Sequence, residues 1–299
     1  MLNDLILFLK DNGIRFAEDE PMKKHTTFKT GGNADLMIFP NSVEQLSEVL
    51  SFCSEQKIEP LILGNGSNLL VSDDGIRVPV IAIGEGLDDL RLINETTVYA
   101  GAGTPLIRLC KFALEHELSG LEFAYGIPGS VGGAVYMNAG AYGGEMRDVV
   151  AYAEHLTLQG VPGRFLNEEL CFGHRHSVYN EQHYVITGAV FKLHKSDPKM
   201  ILDKTQDLLQ RRKDKQPLEY PSAGSVFKRP EGYFAGALIE QSGLKGRRIG
   251  GAAVSEKHAG FIVNLGDATT ADVLALIREC QKTVKEKFGV SLKTEIQMV

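Results

Sequence analysis

Apolar residues recur at helical spacing through Val43, Leu46, Val49, Leu50 and Cys53, directly after Ser42-x-x-Gln45, a pairing that suits a capping box. Together they predict a helix of about 15 residues. After Pro60 the pattern shortens. Leu61-Ile62-Leu63 predicts a strand, Gly64-Asn65-Gly66-Ser67-Asn68 a turn, and Leu69-Leu70-Val71 a second apolar run. Val78 to Ile83 and Thr97 to Ala100 read as further strands. Thr104-Pro105 opens a helix carrying Leu106, Leu109, Cys110, Ala113 and Leu114 on one face, with its end expected near Ser119-Gly120.

Two strand-like stretches, 149–158 and 184–193, bracket Arg175. Ser196-Asp197-Pro198 then breaks the pattern before an amphipathic stretch from Met200 to Arg212, which places a domain boundary near residue 195. The last helix is the most sharply marked. Thr269-x-x-Asp272 resembles a capping box, Val273, Leu274, Ile277, Cys280, Val284 and Phe288 face inward, and Gly289 closes it. A final strand is expected, with Val290, Leu292, Thr294 and Ile296 on its apolar side and Glu295 facing away.

One stretch fits neither period. Between Glu122 and Glu145 the chain runs 22 residues without a charge, with glycine at Gly126, Gly129, Gly132, Gly133, Gly140 and Gly143. Glycine lets main-chain N–H groups approach a ligand, so the run reads as a cradle for an anion such as a dinucleotide pyrophosphate, or else as a tightly packed turn. Pro128 and the glycines argue against a membrane span. Neither Gly64-x-Gly66 nor Gly101-x-Gly103 has the third glycine of a Rossmann fingerprint, and no Walker loop is present. Two separate glycine turns, at 64–68 and 126–133, suggest a dinucleotide gripped from two sides.

At 299 residues, with 43% hydrophobic and 23% charged positions, the composition is that of a globular protein with room for roughly two or three domains. A net charge of −6 argues against a general nucleic-acid binder but leaves room for a local basic cleft. Lys204, Arg211, Arg212, Lys213 and Lys215 form one basic cluster, either a solvated helix face or a receptor for an acidic substrate. The N-terminus does not read as a signal peptide. Cys53, Cys110, Cys171 and Cys280 are far apart and form no CxxC pair, so free thiols in a reducing cytosol are expected. The eight histidines make no ligand spacing, only His174 and His176 sharing a strand face, and no metal is expected. Ser225, in Ser222-Ala223-Gly224-Ser225, lacks a GxSxG elbow; it is either a turn residue before a strand or a hydroxyl that donates to a ligand.

Six motifs in this order resemble the UDP-N-acetylenolpyruvoylglucosamine reductase family. They are His25-Thr26-Thr27-Phe28-Lys29-Thr30-Gly31-Gly32, Gly64-Asn65-Gly66-Ser67-Asn68, Gly126-Ile127-Pro128-Gly129-Ser130-Val131-Gly132-Gly133, Ser222-Ala223-Gly224-Ser225, Leu244-Lys245-Gly246 with Ile249-Gly250-Gly251-Ala252, and the terminal Glu295. The resemblance covers nearly the whole chain, and the short spacing after Gly188 is similar to the compact second type of that family. It implies an α+β fold: a two-subdomain FAD-binding scaffold of the vanillyl-alcohol-oxidase (PCMH-like) kind at 1–80 and 81–195, and a C-terminal α+β substrate-binding domain at 196–299. It implies a cytoplasmic, monomeric oxidoreductase of peptidoglycan synthesis that binds FAD non-covalently, uses NADPH as co-substrate and binds neither nucleic acid nor membrane.

The same resemblance implies roles for residues. Gly64, Asn65, Gly66, Ser67, Asn68, Tyr125, Gly126, Pro128, Gly129, Ser130, Gly132, Gly133, Asn138, Ala139 and Gly140 would hold the flavin. Arg175 and Glu295 would contact the substrate carboxylate, Ser225 would protonate the enolate-like intermediate, and Arg212, Lys215 and Gln241 would bind the nucleotide sugar. His174 departs from the family, which usually has tyrosine before the site arginine. Arg229 and Gln297 also differ from the longer type, so no substrate contact carries over to them. Two other classes compete: an oxidase on the same FAD scaffold, and a nucleotide sensor without catalysis.

Overall fold

A computed structural model describes residues 2–299, and its helices and strands make an α+β fold. The chain packs as two compact units whose members are not consecutive in sequence. Among the described residues the first comprises 2–18, 36–65 and 78–210; the second comprises 19–35, 66–77 and 211–299. These units cut the chain differently from the three consecutive stretches 1–80, 81–195 and 196–299, which remain a proposal. The break near residue 195 starts the helix Pro198–Lys215, but the division between units falls inside that helix, after Gln210.

The first unit is built on a five-stranded antiparallel sheet in the order Pro162–Leu166, Val150–Leu156, Val185–Lys192, Thr97–Gly101, Leu90–Asn94. Its middle strand is buried at seven of eight positions, which is why it reads as a run of Val, Ile and Ala rather than an alternation. Leu61–Leu63 and Val80–Ala82 pair in parallel elsewhere in this unit. The helix Val43–Glu55 begins where the sequence marks it: the Ser42 hydroxyl accepts the Gln45 N–H at 3.2 Å, and the Asn41 N–H reaches Gln45 Oε1 at 3.0 Å. Leu46, Val49, Leu50 and Cys53 enter the core.

The helix after Pro105 runs Leu106–Glu115 and stops short of the expected Ser119-Gly120. Leu118–Ser119 instead pairs antiparallel with His194–Lys195. A cross-chain ladder thus claims backbone groups that local propensity had assigned to the helix.

The second unit packs the helix Thr270–Phe288 on a three-stranded antiparallel sheet of Arg248–Ile249, Ala252–Val254 and Ile262–Asn264. The helix start is capped twice over. Thr269 and Asp272 form the expected capping box, and the Asp73 carboxylate accepts the N–H groups of Thr270 and Ala271, both at 2.8 Å. Asp272 also accepts the Gly251 N–H at 3.2 Å. A Cβ on Gly250 would stand 2.3 Å from the Asp272 carboxylate, so this part of the Ile-Gly-Gly-Ala motif is explained by helix capping.

Two details correct the expected inward face. Leu276 is buried with Val273, Ile277, Cys280 and Val284, whereas Leu274 is only partly covered and Phe288 is 37% exposed beside the Gly289 cap. Nor is there a continuous final strand. Residues 290–296 make one bridge, Thr294 to Phe227, and regular pairing is confined to Gln297–Met298 alongside Leu69–Leu70. All four cysteines are free; Cys53, Cys110 and Cys280 are buried and Cys171 is exposed. Burial pushes the Cys53 thiol up to about 11, which keeps it a neutral packing group.

Candidate active site

In the first unit the uncharged run lies alongside residues 102–106 as paired chain. Leu106 N–H bonds Gly129 O at 3.0 Å, Val131 N–H bonds Thr104 O at 2.9 Å, and Gly132 N–H bonds Ala102 O at 2.8 Å. The run then turns into the short helix Val131–Tyr136. Gly132 has no room for a side chain, because a Cβ there would sit 2.9 Å from the Ala102 Cβ. Gly133 is different. It is exposed, and a Cβ would meet only Ser130 Oγ at 3.7 Å, so packing gives no reason for glycine inside this helix.

Ser130 is where two of the predicted turns meet. Its hydroxyl is buried and has no hydrogen-bond partner among the described residues. A Cβ on Gly64 would lie 2.9 Å from it, and the Cβ position of Gly133 lies beside it as well. A buried hydroxyl left without a partner beside two glycines suits a pyrophosphate-bearing cofactor such as FAD. Gly64 and Asn65 belong to this unit; Gly66, Ser67 and Asn68 belong to the other. Tyr125, Gly126, Ala139 and Gly140 are partly exposed along the same run, and Pro128 is exposed.

Arg175 occupies a tight turn between the strands Val150–Leu156 and Val185–Lys192, closed by the Gly173 N–H on His176 O at 3.0 Å. The turn means that His174 and His176 do not share a strand face as expected. His174 is exposed, and His176 pairs with Glu181 at 3.3 Å. The Arg175 guanidinium donates to Gly140 O at 3.3 Å, which puts it on the glycine-rich run. Asn138, fully buried, bonds Gly173 O, and Ser177 bonds Tyr136 O. Ser177 is a residue that sequence reading passed over, since nothing local marks it.

Glu122 closes the near end of the run. It is buried, accepts the Ser119 hydroxyl at 2.5 Å and the Gly120 N–H at 3.1 Å, and pairs with Lys204 at 3.3 Å. Burial alone would raise its carboxyl; the Ser119 hydroxyl, backbone N–H groups and Lys204 outweigh that and hold it below the ordinary glutamate range. A depressed folded-state pKa means that the stabilisation is present above the unfolded value and is lost as pH falls through the folded one. Glu122→Gln is therefore expected to flatten the acid limb of a plot of melting temperature against pH. A limb identical to that of the parent would rule this out.

In the second unit Ser225 and Glu295 lie on neighbouring extended segments. Val226 N–H bonds Gly260 O at 2.9 Å, and Glu295 N–H bonds Val226 O at 2.8 Å. Asn68 Nδ2 reaches Glu295 O at 3.2 Å, and Gln297 N–H bonds Asn68 O at 2.9 Å. Asn68, Ser225 and Glu295 are thus brought together by main-chain pairing. Glu295 is half-buried rather than turned out to solvent. Gly66, at φ +57, accepts the Thr27 N–H in this unit.

The basic cluster divides. Lys204 is engaged with Glu122; Arg211, Lys213 and Lys215 are exposed, while Arg212 is buried at 7% exposure. Gln241 is exposed at the end of the helix Ala235–Gln241. Among the described residues, no group of three His, Cys, Asp or Glu side chains could hold a metal ion, and no helix is long and apolar enough to cross a membrane.

Comparison with known proteins agrees with these features. Residues 34–162 match the model of an FAD binding domain, and residues 216–299 match that of the UDP-N-acetylenolpyruvoylglucosamine reductase C-terminal domain. The chain is 52% identical over 281 residues to a UDP-N-acetylenolpyruvoylglucosamine reductase of Clostridium botulinum, covering 94% of this chain and 91% of that one. It is 46% identical over 299 residues to the enzyme of that name from Syntrophomonas wolfei, covering 100% and 99%. The crystal structure of the Thermus caldophilus reductase superposes with a TM-score of 0.82 at 36% identity, over 95% of this chain and 98% of that one. With its glycine-lined Ser130 and both family models in place, the chain belongs to the UDP-N-acetylenolpyruvoylglucosamine reductase family of FAD-dependent oxidoreductases.

Proposed function

We propose that this enzyme reduces the enolpyruvyl ether of UDP-N-acetylglucosamine to UDP-N-acetylmuramate, drawing two electrons from NADPH through non-covalent FAD, as a cytoplasmic monomer in peptidoglycan synthesis. The reading is carried by the convergence of Gly64, Ser130 and Gly133, with the Arg175 guanidinium on Gly140 of the same run.

Gly64 to Asn68, Tyr125, Gly126, Pro128 to Ser130, Gly132, Gly133, Ala139 and Gly140 would hold FAD, with the Ser130 hydroxyl donating to a phosphate oxygen. When reduced, the bound flavin supplies a hydride to the terminal carbon of the enol ether, turning its CH2 into CH3. Arg175 would grip the substrate carboxylate with its planar two-pronged donor as charge moves into that group. Glu295 would assist at the same carboxylate. Ser225 would deliver a proton from its hydroxyl to the adjacent carbon, and the strong basicity of an enolate makes that weak acid sufficient. Arg212, Lys215 and Gln241 would orient the nucleotide diphosphate. Residues 1–80 and 81–195 would serve the cofactor, the second also supplying Arg175, and 196–299 would serve the substrate.

The test is spectroscopic. The purified protein should show flavin absorption, bleach under NADPH without oxygen, and recover its colour on addition of the enolpyruvyl nucleotide. Recovery with oxygen alone at a comparable rate would favour the oxidase class. A colourless protein that cannot be reconstituted would overturn the cofactor assignment.

A further inference from the structure

Arg175 has φ +56, a left-handed conformation that residues other than glycine hold only when their surroundings impose it. Its surroundings do so from both sides. Asn138 is fully buried at φ +41; its Nδ2 donates to Gly173 O at 3.0 Å and its Oδ1 accepts the Arg147 N–H at 2.9 Å. Ser177 is also fully buried; its hydroxyl donates to Tyr136 O at 2.8 Å, and its N–H bonds Asn180 Oδ1 at 2.8 Å. Two residues before Arg175 and two residues after it, the turn is thus pinned to the stretch 136–140. The guanidinium falls on Gly140 O, at the end of that same stretch.

One N–H and one lone pair of the Asn138 amide are engaged with protein, so the side chain is oriented by the turn it holds. We infer that Asn138 and Ser177 are positioning residues, a two-pin latch that sets the Arg175 guanidinium for the substrate carboxylate. The inference rests on the proposed role of Arg175. A guanidinium displaced by about 1 Å loses its two-pronged alignment, which costs on the order of 10- to 100-fold in rate. Hydride transfer from NADPH engages no such carboxylate, so the latch serves only the substrate half of the cycle.

The two half-reactions, followed separately by flavin absorbance under anaerobic conditions, test this in the holoenzyme. Ser177→Ala removes one hydroxyl; Asn138→Gly, which tolerates the φ of +41, removes the donor to Gly173 and the acceptor for Arg147 without adding a charge. Each is expected to slow reoxidation by the enolpyruvyl nucleotide roughly 10- to 100-fold while NADPH reduction stays within about twofold of the parent and flavin content is retained, the lost buried hydrogen bond lowering the melting temperature by only a few degrees. In an Arg175→Ala background the Ser177→Ala loss should vanish, because nothing is left to position. Reoxidation by Ser177→Ala at the parent rate would overturn the latch. So would equal slowing of both half-reactions with loss of flavin, or a loss that persists in full without Arg175. An Arg175→Ala enzyme that reoxidises at the parent rate would instead sink the role of the arginine itself.

Discussion

Ser225→Ala is expected to lower the rate of substrate reduction by about 100- to 1000-fold, equivalent to roughly 2.7–4 kcal/mol, while NADPH still bleaches the flavin at the parent rate. The substitution is clean because, among the described residues, no hydrogen bond to the Ser225 hydroxyl holds the local fold. Residue 225 is held through its backbone, in a bridge to Phe261, and the next residue is tied on both sides by the Val226 N–H on Gly260 O and the Glu295 N–H on Val226 O. Alanine leaves all of those bonds in place, so melting temperature and flavin content should match the parent. Loss of the proton donor leaves the enolate to be protonated from water, which is slower because no group is held at the carbon. Ser225→Cys, which keeps an acidic proton at the same position, is expected to recover part of the rate. The measurement is single-turnover reoxidation of the pre-reduced enzyme. Full turnover by Ser225→Ala would remove this serine from the mechanism.

The two adjacent glycines of the cradle should respond in opposite ways. Gly132→Val drives a side chain into Ala102, whose carbonyl accepts the Gly132 N–H at 2.8 Å, and overpacking of that kind costs about 1–3 kcal/mol. The fold itself is weakened, so the melting temperature should fall with or without flavin. Gly133→Leu meets only Ser130 Oγ, at an ordinary contact distance of 3.7 Å, and replacing a helical glycine is worth up to about 0.5–1 kcal/mol in its favour. The flavin-free protein should therefore melt no lower than the parent. Flavin affinity, however, is expected to fall more than about tenfold, or roughly 1.4 kcal/mol, because the side chain occupies the space beside Ser130 that the cofactor requires. Flavin titration of the apo protein with differential scanning calorimetry separates the two. A Gly133→Leu protein with undiminished flavin affinity would exclude this face of the turn as the cradle.

What could be read along the chain was what short-range chemistry decides. The caps at Ser42 and Thr269, the helical face of Val273, Ile277, Cys280 and Val284, and the buried strand Val185–Lys192 all depend on neighbours within a few positions, and all are present. The glycine turns were visible too, because no other residue suits such close approach. Where the reading missed, a distant partner had prevailed. Leu118–Ser119 left its helix for a ladder with His194–Lys195, and Lys204 left the basic cluster for the buried Glu122.

Tertiary structure alone decided which glycine is needed by packing and which is not, and that Asn138 ties Gly173 to Arg147. It alone joined Asn68 to Glu295 across 227 positions and Ser177 to Tyr136 across 41. The reason is physical. A hydrogen bond between groups so far apart leaves no periodic trace in sequence, since each partner needs only to be polar and buried, and burial is settled when the whole chain closes around it.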